Sequence, residues 1–177
     1  MKNPIFNRQH ITEYFSFGFL AAVLYCTPVL VFLGEKKYED LYYLYIGTGL
    51  FMFTIFFYAM RLVNRPYDQK RAVSMLIAGN LATLAGVAIA IILVIGAFFF
   101  YYPDMFSITP TESLLQDSPS TIQPVRPSGL MLMVVFFTAL ANTAVGAFVS
   151  VVTAYVGKKN QTMDKPASLE KHIPAMK

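Results

Sequence analysis

Four long runs without a charged side chain dominate the chain: residues 14–34, 41–60, 72–103 and 127–157 contain no Lys, Arg, Asp or Glu. Apolar residues fill these runs, interrupted only by single Thr, Ser, Asn, Gly and Pro positions. A helix rises about 1.5 Å per residue and bilayer hydrocarbon is about 30 Å thick, so roughly 20 apolar residues make one crossing. All four runs reach that length. The pattern predicts an all-α, integral membrane four-helix bundle with spans at residues 14–34, 41–63, 72–102 and 129–157.

The connections set the order of the helices. Residues 1–13 precede the first span, and only residues 34–40 join it to the second, so those two helices are expected to be antiparallel neighbours. The second hairpin has longer apolar runs than one crossing needs, which predicts tilt or projection beyond the hydrocarbon. Its outer loop, residues 103–128, is rich in Pro, Ser and Thr and reads as irregular apart from a short helix near residues 113–116. The tail "KKNQTMDKPASLEKHIPAMK", residues 158–177, is polar and interrupted by proline, and disorder is expected there.

Composition removes the soluble alternative. The chain is 56% hydrophobic and 14% charged, whereas soluble domains carry about a quarter charged residues. Too little polar sequence remains to cover four buried helices. The first run is not a signal peptide, because its apolar stretch continues past Thr27-Pro28 to Phe32 and Leu33. Val23-Leu24-Tyr25-Cys26 is no lipoprotein box either, since the residue before such a cysteine is small and Tyr25 is bulky. Cys26 is the only cysteine, so no intrachain disulfide forms, and it reads as a packing residue.

Charge supplies the orientation. Every basic residue except Lys36, Lys37 and Arg126 falls in the N-terminal segment (Lys2, Arg8), the connection after the second span (Arg61, Arg65, Lys70, Arg71) or the tail (Lys158, Lys159, Lys165, Lys171, Lys177). Basic residues are retained on the cytoplasmic side, which predicts both termini inside. The basic stretch "RLVNRPYDQKR" is then an inner connector whose arginines snorkel to head groups, and nucleic acid is not expected as a partner. Aromatic residues fit the same frame. Tyr38, Tyr42, Tyr43 and Tyr45, with residues 98–102, mark the outer face, and Tyr14, Tyr58 and Tyr155 the inner interface.

Lipid tails are as apolar as leucine, so membrane helices associate through small residues and polar contacts. The fourth span carries Thr138, Asn142, Gly146, Ser150 and Ala154 at steps of four, and the third carries Gly79, Thr83, Gly86 and Ala90. These two faces are expected to meet. By helix rise, Asn80 lies about 10–12 Å from the cytoplasmic end and Asn142 roughly 20 Å. Asn142 shares that depth with Thr27 and Thr48, so these three form a candidate mid-membrane polar site. The plainer alternative has each polar group bonded to its own helix, and with no charge in the spans it is the favoured one.

Catalytic sets are not visible. The spans hold no Asp, Glu or His, His10 and His172 lie in the end segments without a ligand cluster, and no phosphate-binding glycine loop occurs. Ser168-Leu-Glu-Lys171 matches a Ser-x-x-Lys pattern only by chance, in a short inner tail. No cofactor or metal is expected. The plan resembles that of small four-span proteins of bacterial inner membranes, with a lysine pair closing the last span, but no motif assigns a family. The expected function is a non-enzymatic accessory, assembly or regulatory membrane protein that binds other membrane proteins or itself. The alternative is a subunit of a small oligomeric transporter or channel with a neutral polar path.

Overall fold

The structure, a computed structural model, describes residues 8–63, 72–103 and 127–163. Four helices, α1 (Arg8–Glu35), α2 (Tyr42–Val63), α3 (Ala72–Tyr101) and α4 (Pro127–Met163), pack together, with a 3-10 turn at Tyr38–Leu41 leading into α2. The connection 64–71, the loop 104–126 with its expected short helix, and the tail from 164 lie outside the described residues.

Each helix contains a stretch apolar and long enough to cross a bilayer: Ile11–Glu35, Glu39–Val63, Met75–Tyr101 and Ser128–Gly157. Two boundaries differ from the sequence reading. Helix α1 starts at Arg8, ahead of residue 14, and α4 continues past Gly157 to Met163, into the stretch expected to be disordered. The physical reason is that a formed helix propagates cheaply until a breaker stops it, and the first proline after Gly157 is Pro166. At 37 residues, α4 is roughly 55 Å long, well beyond the ~30 Å of hydrocarbon.

The helices stand at the corners of a square. Around its perimeter α1 contacts α2 and α3, and α4 contacts the same two. Residue pairing fixes the directions. Tyr14 meets Tyr58 and Tyr25 lies against Gly47, so α1 and α2 are antiparallel. Gly79 faces Ser150 and Gly146 faces Thr83, so α3 and α4 are antiparallel too. Along the perimeter each helix therefore lies between two neighbours, one of them its own hairpin partner.

Helix α1 stops at a residue other than glycine in the left-handed region. Lys36 has φ 56°, and its N–H donates to the Phe32 carbonyl at 3.2 Å. That conformation normally favours glycine. The Lys36 ammonium lies 5.1 Å from the centroid of the Tyr102 ring, an attraction that offsets part of the steric cost. The turn thereby ties the α1–α2 connection to the C-terminal end of α3.

Apolar residues cover the outside as well as the inside. Phe15, Phe19, Phe53, Phe57, Phe136 and Phe148 all point away from the bundle, while Phe32, Phe51, Ile55, Val94, Phe98 and Val134 fill its core. A helix that is apolar all round needs an apolar surrounding. Tyr14 and Tyr58 are buried between α1 and α2, with ring centroids 6.2 Å apart, whereas Tyr155 is exposed. Phe17 packs on Tyr58 with centroids 4.9 Å apart and receives the Arg61 guanidinium at 5.8 Å.

Candidate functional site in the bundle interior

Glycine decides where the helices come closest. A Cβ on Gly18 would stand 2.9 Å from the Gly86 nitrogen and 3.0 Å from the Ala82 carbonyl oxygen, so α1 and α3 touch backbone to backbone. A Cβ on Gly47 would stand 2.9 Å from the Tyr25 carbonyl oxygen and 3.0 Å from its ring. On the α3–α4 side, Gly79 accommodates Ser150 and Gly146 accommodates Thr83. Each glycine faces a hydroxyl residue, and each hydroxyl bonds back to its own helix: Thr83 to the Gly79 carbonyl at 2.9 Å and Ser150 to the Gly146 carbonyl at 2.7 Å. The contacts are close because one partner has no side chain and the other turns its polarity inward.

The small face of α3 divides between two neighbours. Gly79 and Thr83 lie against α4, but Gly86 lies against Gly18 of α1 and Phe51 of α2. Ala90 is buried, and its carbonyl accepts a weak bond from the Cys26 thiol at 3.9 Å. So Gly86 faces α1 and α2 in place of α4. At about 100° per residue these four positions span an arc of roughly 60°, and α3 occupies a corner where such an arc reaches both neighbours.

On α4 the whole row of Thr138, Asn142, Gly146, Ser150 and Ala154 faces the interior. Thr138 meets Tyr25 across the diagonal of the square, with the two oxygens 2.8 Å apart. The Thr138 proton goes to the Val134 carbonyl at 2.7 Å. A hydroxyl has one proton, so Tyr25 is the donor to Thr138 and keeps its own lone pairs unused. The sequence reading missed this bond. A tyrosine deep in an apolar run was itself the signal, because a buried phenol finds a hydrogen-bond partner.

Asn142 lies one turn below Thr138 and one turn above Gly146. Its side chain is wholly enclosed, and neither Oδ1 nor Nδ2 has a hydrogen-bond partner within the protein. Neither Thr27 nor Thr48 is hydrogen-bonded to it. Thr27 is exposed and donates to the Val23 carbonyl at 3.0 Å, and Thr48 is buried and donates to the Leu44 carbonyl at 3.0 Å. Asn80 likewise bonds its own helix, at the Leu76 carbonyl, 2.9 Å away. The reason is general: Ser, Thr and Asn in a helix reach back to the carbonyl one turn earlier. Asn142 alone among the buried polar residues on these rows has not done so.

Among the described residues the buried polar side chains of the interior are Thr48, Thr54, Thr83, Thr138, Asn142, Ser150 and Thr153, with no Asp, Glu, Lys, Arg or His among the buried residues. Among the described residues no group of three or more His, Cys, Asp or Glu is placed to hold a metal ion. No known family model, curated protein or solved structure matches the chain.

Proposed function

We propose that the chain is an integral membrane protein with both termini in the cytoplasm, serving as a non-enzymatic accessory, assembly or regulatory protein that docks transmembrane helices of other membrane proteins. A bacterial inner membrane suits the plan. The apolar exterior supports the membrane placement, and the basic residues of the inner segments support the orientation. One observation carries the docking role. Gly49 of α2 and Gly96 of α3 are exposed, and a Cβ on either would meet nothing within 4 Å. Neither glycine serves a contact inside the bundle, yet glycine in a helix interior costs about 0.5–1 kcal/mol relative to alanine. On the outside of a membrane helix, a small residue lets a second helix approach closely.

Native mass spectrometry of protein extracted from its own membrane into nanodiscs tests this reading. The expected result is a reproducible complex with a different membrane protein, lost in the double variant Gly49→Leu/Gly96→Leu while the bundle stays folded. A complex that survives both substitutions would overturn the assignment of these faces. A second reading, a subunit of a small transporter or channel with a neutral polar path, is favoured by the unpaired amide of Asn142. A symmetric homo-oligomer without a foreign partner would point to it.

A further inference from the structure

We infer that Asn142, together with the Tyr25–Thr138 pair one turn away, forms a binding site for small neutral hydrogen-bonding molecules, water first among them, in the centre of the bundle. The inference is separate from the docking role above, and its failure would leave that role untouched.

The first ground is the amide itself. It carries two donor protons and an acceptor oxygen, it is wholly enclosed, and no protein group bonds it. A buried polar group left so bears its full desolvation cost, and native interiors resolve this with a partner or a water. The neighbouring helices do not supply the partner. The hydroxyls of Thr83, Thr138, Ser150 and Thr153 have each given their proton to a carbonyl of their own helix.

The same proton count fixes the chemistry of the occupant. What the hydroxyls still present is lone pairs, and Tyr25, having donated to Thr138, presents lone pairs as well. The free donors are the two protons on Asn142 Nδ2. A fitting molecule must donate to the oxygens and accept from the amide. It must also be neutral, because no charged side chain is buried beside it to compensate an ion. Water meets all three conditions and is present on both sides of a membrane.

The test is water-to-amide magnetisation transfer by NMR on the uniformly 15N-labelled full chain in lipid nanodiscs. The Nδ2 signal is assigned by its loss in Asn142→Leu. Asn142 Nδ2 is expected to receive water magnetisation at mixing times where the backbone amides of Ala82 and Val134, both 0% exposed, receive none. In Tyr25→Phe, which keeps the ring and removes the oxygen, the transfer should fall several-fold. Transfer to Asn142 no faster than to Ala82 and Val134 would overturn the site. Unchanged transfer in Tyr25→Phe would overturn the part given to Tyr25.

Discussion

Asn142 is where the molecule gives up stability. Leucine keeps the branched shape of asparagine and removes the unpaired donor and acceptor, at the cost of the extra bulk of two methyl groups. Leaving one buried polar group unsatisfied costs about 1–3 kcal/mol. Asn142→Leu is therefore expected to stabilise the bundle, by about 1 kcal/mol, the low end of that range, because a water visiting the amide already offsets part of its cost. Reversible unfolding in mixed micelles reads this directly. Destabilisation of similar size would mean that the amide is well bonded in the folded protein.

At the scale of the helix pair, two kinds of glycine behave oppositely. Gly18 faces backbone: the Gly86 nitrogen and Ala82 oxygen stand 2.9 and 3.0 Å from where its Cβ would be, and neither can rotate away. Gly18→Ala should force α1 from α3 and cost about 1–3 kcal/mol, as overpacking does. Gly96→Ala meets open space and should gain up to about 1 kcal/mol from helix propensity. Thermal melts of the two variants in one detergent compare them, and equal melting temperatures would contradict the close α1–α3 contact. Gly86→Leu belongs with the first kind, since its Cβ would stand 3.1 Å from the Gly18 carbonyl oxygen.

These contacts also mark how far the sequence can be read. The helices are legible because charge is excluded from each run, and the inward row of α4 is visible as small and polar residues at steps of four. Which neighbour each small residue meets is not legible. Gly79 and Gly86 lie on nearly the same face of α3, yet one contacts α4 and the other α1 and α2, a choice made by helix crossing and not by residue type. The interior site is half legible. Asn142 stands out as a polar group in an apolar run, but Thr27 is exposed and both Thr27 and Thr48 bond their own helices. Depth along a helix gives one coordinate, and a site needs the angle around the axis as well.

For the whole molecule, the topology proposal ties the bundle to its compartment. On that proposal four crossings return the chain to the side on which it started, and the basic residues of the two ends and of the 61–71 stretch support the cytoplasm as that side. The turn between α1 and α2, with exposed Glu35 and Lys37 paired at 3.8 Å, then faces outward, and its Lys36 charge rests on an aromatic ring, away from the bilayer core. Cysteine labelling can check every part of this at once. In a Cys26→Ser background, Glu39→Cys should react with a membrane-impermeant maleimide on intact cells, because Glu39 is exposed in that turn. Asn3→Cys and Lys171→Cys should react only after permeabilisation. The inverse pattern would reverse the orientation and leave the bundle intact. Labelling of just one terminus from outside is the damaging result, since an even number of crossings cannot separate the two ends. The packing contacts permit no such remedy: removing α1 or α4 from the membrane would break the Tyr25–Thr138 bond, and with α4 gone the Tyr25 hydroxyl would be left in hydrocarbon without its partner.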